Sequence, residues 1–396
     1  MRIPVCLLVA VAVVCPVWAA GPPMTPGWAD RLVEQLGDDD FDTREAAAKA
    51  LDKAGGDAVP ALRRGMQSKH AVIRFRSLKI AKAIEARTVA YYEALGAEVR
   101  WSSAEFGRIS PVEQLFLQGL GIWLNEYRYN YVHALTFQDR DSRRLRDEHL
   151  RELAGLPWLA ELNLSKAPIG DEGMRYLGLV KHLSRLVLNK TNVSDNGLAH
   201  LSESTQLEWL SLHDTRNITG SGFVHLGKLR KLTGLGLTRS GITDLGIKLG
   251  IPGIKKMSNL KFLCLSQTQI SDAGLVQFKK LSQPLDLSLD QTKISDRGIA
   301  SLKAMDNLKA VDLAGTAITD EGCTQLAEIN TLQGLRLGYT EVTLKGLTKL
   351  KQLPELRRLE ISGIRLRRYE VFELLNTLTN RVKVDGNQIR RFQEKP

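Results

Sequence analysis

Apolar residues change their period partway along the chain. From Trp28 to about Glu85 they recur at helical spacing: Ala46, Ala47, Ala50 and Leu51 share one face behind a Thr43 cap. Val59 and Leu62 follow, then Val72, Phe75, Leu78 and Ile80, which predicts short packed helices over 28–95. Between 96 and 149 the pattern is less regular. Leu95-Gly96 ends a helix, Glu98-Val99-Arg100-Trp101 reads as a strand, and 110–130 is rich in aromatics without a clear period. This stretch is expected to cap the array that follows, whose open end would otherwise expose its core.

From 150 to 380 one unit recurs. The alternating pair appears as Leu162/Leu164, Leu186/Leu188, Leu210/Leu212, Leu235/Leu237, Leu263/Leu265, Leu287/Leu289, Val311/Leu313, Leu335/Leu337 and Leu359/Ile361, mostly 24 residues apart. After each pair comes a Thr (Thr191, Thr215, Thr268, Thr292, Thr316, Thr340), then a segment such as Ile270-Ser271-Asp272-Ala273-Gly274-Leu275. Each unit therefore predicts one parallel strand, one turn and one short helix. Alternation turns the paired leucines inward, so no unit can bury its own apolar side chains without neighbours. The Thr column is expected to bond loop backbone in the manner of an asparagine ladder. Ser194, Thr243, Ser271, Ser295 and Thr319 read as helix caps, with the Asp that follows each placed to complement the helix dipole. Gly250-Ile251-Pro252-Gly253, in a unit stretched to 28 residues, is expected to break or bulge its helix. Arg381-Val382-Lys383-Val384 reads as a closing strand within a C-terminal cap and tail at 381–396.

These units resemble the 24-residue leucine-rich repeats with an Ile-Thr-Asp-x-Gly-Leu second half, found in exported bacterial proteins and in the substrate-binding halves of F-box proteins. The likeness covers about 230 of 396 residues. It implies an α/β leucine-rich-repeat solenoid, with strands on the concave face and short helices on the convex face, that binds other macromolecules and carries out no reaction. Asp42-Thr43-Arg44-Glu45-Ala46-Ala47, with Ala50-Leu51 and Ala58-Val59-Pro60-Ala61-Leu62, resembles a HEAT-type unit and implies a small all-α N-terminal segment. A ubiquitin-ligase adaptor, the other role the resemblance suggests, conflicts with the chain's first residues.

There, Met1-Arg2 supplies a positive start, Val5 to Val14 an apolar core and Val17-Trp18-Ala19 a small-residue cleavage pattern, so 1–20 reads as a secretory signal. Export to the periplasm, the cell surface or the medium is expected, and no later run is long enough to anchor the mature chain. Cys6 and Cys15 leave with the signal, which rules out a disulfide framework. Cys264 is expected on the open strand face as a free thiol, and Cys323 as a small core filler two repeats away.

Candidate chemistry lies mainly on the outward strand positions. Trp209 and Phe262 are side chains that a solvated sheet does not require; with His213 and Arg336 they form the expected ligand surface for a protein or peptide. Asp286, Asp290 and Asp312 gather carboxylates on neighbouring strands, with Asp290 and Asp312 roughly 8 Å apart at Cα. On an open sheet they read as a solvated acidic patch rather than an acid/base pair or a calcium site, and all three belong with Trp209, Phe262, His213 and Arg336 to the expected ligand surface. His200 and His225 share a helical column but lack a fixed third ligand, and Gly234-x-Gly236 lacks the lysine and helix start of a phosphate loop. No cofactor or metal is expected. The net charge of +11, about +10 without Arg2, gathers between helix ends and strands. Lys231, Lys255, Lys256, Lys279 and Lys280 mark an edge on which a polyanionic polymer is the alternative ligand; no module for sequence-specific nucleic-acid recognition is present.

Overall fold

The computed structural model describes residues 27–105, 128–137, 139–281, 283, 285–305, 307–378 and 382–386. The signal read at 1–20, most of the aromatic-rich stretch and Arg381 lie outside them. Four helices come first: α1 (Trp28–Gln35), α2 (Phe41–Ala54), α3 (Val59–Gly65) and α4 (Ala71–Ala94). Their buried side chains, among them Val33, Leu36, Leu51, Leu62, Ile73 and Ile84, form a core of their own. Asp40, not Thr43, caps α2: its carboxylate accepts the Thr43 N–H at 2.7 Å, leaving Thr43 inside the first turn.

The rest is built on one sheet of twelve strands in chain order. They are β1 (Ala97–Glu105), β2 (Arg128–Phe137), β3 (Glu161–Asn163), β4 (Arg185–Val187), β5 (Trp209–Ser211), β6 (Gly234–Gly236), β7 (Phe262–Cys264), β8 (Leu285–Ser288), β9 (Leu308–Asp312), β10 (Gly334–Arg336), β11 (Arg358–Glu360) and β12 (Lys383–Asp385). β1 runs antiparallel to β2; every later pairing is parallel. The first residue of each apolar pair falls in one register line, Leu162 to Leu186 to Leu210 to Leu235 and onward, and all are buried. α4 is tied to the start of this sheet through buried Glu85, which accepts the Val132 N–H at 2.7 Å, and Tyr92, whose hydroxyl donates to the His149 carbonyl at 2.7 Å.

At the end of each strand from β3 to β11 the chain turns through a residue with positive φ. Lys166, Lys190, Asp214, Arg239, Gln267, Gln291 and Tyr339 adopt φ of 52–66°, and glycines 315 and 363 hold the same place. Seven non-glycine residues tolerate this because the turn is over-determined. The N–H of Gln267, for example, donates to Asp290 O at 2.8 Å in the next repeat. The Thr column braces the same turn from within its own repeat: Thr191 and Thr268 donate to the carbonyls of Leu188 and Leu265, three residues back, at 2.7 and 2.6 Å. It bonds loop backbone, as expected, and does so within each repeat rather than across the repeat boundary.

Asp residues make the cross-repeat ladder instead. Asp171 accepts the backbone N–H and hydroxyl of Ser194; Asp244, Asp272, Asp296 and Asp320 do the same for Ser271, Ser295, Thr319 and Thr343. The long fourth repeat departs from expectation, since its helix Asp244–Lys256 runs unbroken through Pro252. Its glycines serve close approach. A methyl at Gly246, Gly250 or Gly253 would overlap the carbonyls of Thr219, Gly220 or Phe223 in the preceding repeat.

Candidate functional site

The concave face carries outward side chains in cross-sheet rows fixed by the strand register. One row runs Glu161, Arg185, Trp209, Gly234, Phe262, Asp286, Ala310, Gly334, Arg358. Trp209 and Phe262 stand two strands apart, yet their rings stack at 5.7 Å between centroids and 12° between planes. Gly234 makes this possible: Trp209 lies over it, and any Cβ there would overlap the indole. Arg185 places its guanidinium 5.4 Å from the Trp209 ring centroid.

The next positions along the strands repeat the device. His213 lies over Gly236, where an added methyl would come within 2.7 Å of the imidazole. Its Nδ1 accepts the Thr238 N–H at 2.9 Å, and its own backbone N–H donates to Asn189 Oδ1 at 2.9 Å. Burial pushes the His213 pKa below the usual histidine value, Arg239 adds to this, and Asp214 partly opposes both. Asn189 Oδ1 also accepts the Ser211 hydroxyl at 2.7 Å. Together with Arg100, Glu161 and Arg185, these residues border a depression of about 400 Å³. Cys264, expected to be open, is buried, with its Sγ 3.1 and 3.3 Å from the hydroxyls of Thr238 and Ser266. Cys323 is buried as expected, and burial pushes its thiol up to about 12.

The acidic and basic candidates divide. Asp312 is held by Arg336 at 3.0 Å and accepts the Ala314 N–H at 3.1 Å; burial raises its pKa. Asp290 adds to that rise by like-charge repulsion. Asp286 directly neighbours Phe262 in the register, and burial raises its pKa as well. Trp209 and Arg336 are five strands apart, about 24 Å at ~4.8 Å per strand, so they belong to two places on the face.

Along the edge, Lys231 donates to Gln206 at 2.6 Å, and exposed Lys255 and Lys256 end their helix. Lys279 is exposed; the side chain of Lys280 lies outside the described residues. Lys228 and Lys303 nearby are paired with Glu203 and Glu328, so acids interleave with this edge. His200 and His225 are exposed on successive convex turns. Among the described residues no group of three or more His, Cys, Asp or Glu is placed to hold a metal, and no helix is long and apolar enough to cross a membrane.

Sequence reasoning put Glu161 and Arg185 at outward strand positions without singling them out, did not connect Arg100 to the site, and gave the Gly234-x-Gly236 strand no role. The available signal was a strand with glycine at both outward positions, flanked on either side by a strand with an aromatic in the same column.

The strand, brace and ladder geometry defines the class: the chain folds as an α/β leucine-rich-repeat solenoid. The Leucine Rich repeat family model matches residues 155–178 and 305–327. Similar solved structures include an internalin from Listeria monocytogenes, 18% identical over 70% of this chain and 89% of that one, with a TM-score of 0.39. Internalin C2 from the same organism is 21% identical over 53% of this chain and 82% of that one, with a TM-score of 0.38. No curated protein matches the chain.

Proposed function

We propose that the chain is a non-enzymatic scaffold that binds a protein or peptide segment on its concave strands, centred on Trp209 and Phe262. The observation that carries this reading is the stacked pair itself. Two aromatic rings are held half-buried and stacked on a sheet face that also carries charged side chains, and two glycines in the intervening strand make room for Trp209 and His213. Rings fixed in this way have lost their conformational freedom before a ligand arrives, so covering them yields apolar burial at low ordering cost. The same reading sets the scaffold in an exported location, in keeping with the signal-like pattern at 1–20.

The test is capture of proteins from envelope and culture fractions at low and high salt, with a Trp209→Ala/Phe262→Ala chain beside the unaltered one. Capture that survives salt and is lost in the double variant is expected. Salt-sensitive capture of an acidic polymer, equal in both chains, would overturn the proposal.

A further inference from the structure

We infer that the segment bound on the concave face presents a lysine or arginine to Asp286 while an apolar side chain of the same segment covers Trp209 and Phe262. This rests on the docking proposed above and adds the chemistry of what docks. The register places Asp286 beside Phe262, at the end of the aromatic pair opposite Arg185. The row is therefore polar in a fixed direction: guanidinium, indole, phenyl, carboxylate. A cation approaching the Arg185 end meets like charge; one approaching the Asp286 end meets a carboxylate.

That carboxylate is uncompensated. Glu161 is paired with Arg100 and Asp312 with Arg336, whereas the Asp286 side chain has neither ion pair nor hydrogen bond among the described residues. Asp286 is exposed at the surface of its strand, and the partial burial that raises its pKa is opposed by no cation among the described residues, so its carboxylate is open to a ligand cation. Space is available for the stem of a long basic side chain. Beyond Asp286 the row continues with Ala310 and Gly334, and apart from Ala310 itself nothing stands close over Gly334. An aliphatic stem can lie on that floor with its charged head at Asp286.

The test selects a random heptapeptide display library on the immobilised full chain, then measures the recovered peptides and their Lys/Arg→Gln and Lys/Arg→Glu versions. Peptides with a basic residue near an aromatic or aliphatic one are expected. Loss of the positive charge should weaken binding about tenfold, as removal of a charged hydrogen-bonding group does. Asp286→Asn should abolish this preference while leaving binding dependent on the aromatics. Peptides that need Trp209 and Phe262 but keep their preference for Lys or Arg in Asp286→Asn, or that carry acid in its place, overturn this inference alone. A library yielding no binder, or only binders indifferent to Trp209→Ala/Phe262→Ala, overturns the docking proposal with it.

Discussion

Asp296 reaches across a repeat boundary to Thr319: one carboxylate oxygen accepts the Thr319 backbone N–H at 2.9 Å and the other its hydroxyl at 2.6 Å. The Thr319 hydroxyl in turn accepts the Glu321 N–H at 3.2 Å at the start of its own helix. One side chain thus satisfies the helix entry of the next repeat. Asp296→Ala is expected to lower stability by about 1–3 kcal/mol, the cost of stranding partly buried donors. Urea unfolding monitored by circular dichroism measures this; an unchanged midpoint would deny the ladder any energetic role.

The same carboxylate explains a glycine. A methyl at Gly322 would overlap Asp296 Oδ1, and Gly298 and Gly346 stand in the same relation to Asp272 and Asp320. Gly322→Ala should therefore destabilise the native chain although alanine is the better helix former, by about 1 kcal/mol. In an Asp296→Ala background the obstruction is gone, and Gly322→Ala should cost little or stabilise. A double-mutant cycle that found the two substitutions additive would show that they do not touch energetically.

Period and spacing alone placed the first residue of each of the nine apolar pairs on a strand and the second, buried, just past its end, because a buried leucine column is a one-dimensional pattern that the chain displays directly. Relations between repeats were harder to read. The Asp and Gly of the motif act on the following and preceding repeats respectively, so neither partner is adjacent in sequence. The positive-φ turn was invisible because Lys190, Gln267 and Tyr339 carry no glycine signal; what holds them there is bonding to the next repeat. At the candidate site, Trp209 and Phe262 were legible as unexpected aromatics. Their stacking depends on what the strand between them lacks, and a missing side chain is easily dismissed.

His213 gives the concave face a pH dependence. Its folded pKa is lowered, so the unfolded chain binds more protons as pH falls through the ordinary histidine range. The associated stability is fully present above about pH 6.5 and declines below it, as protonation removes the acceptor for the Thr238 N–H. Urea midpoints between pH 7.5 and 5.5 should fall in the unaltered chain and fall less in His213→Gln. His182, whose pKa burial also lowers with help from Arg63, should account for part of the slope that remains. Parallel pH profiles for the two chains would remove His213 from the account.

Two neighbours in the helix Asp244–Lys256 should respond with opposite sign. Pro252 is exposed and has no N–H to give the Lys248 carbonyl, so it weakens the helix without breaking it. Pro252→Ala restores that donor and is expected to stabilise the chain by about 1–2 kcal/mol, less than the full proline penalty because the unfolded chain also gains freedom. Gly253 faces inward, where its missing side chain lets the helix sit against the Phe223 carbonyl. Gly253→Ala improves helix propensity by about 1 kcal/mol, yet its methyl must push apart two backbones that have no flexible side chain to yield. The net effect is expected to be a loss of about 1–3 kcal/mol, the range of overpacked cores. Thermal unfolding of the two single variants distinguishes the alternatives. If Gly253→Ala proved neutral and Pro252→Ala destabilising, the residues would mark the bulge that their sequence suggests, and the tight packing of the fourth repeat on the third would have to be abandoned.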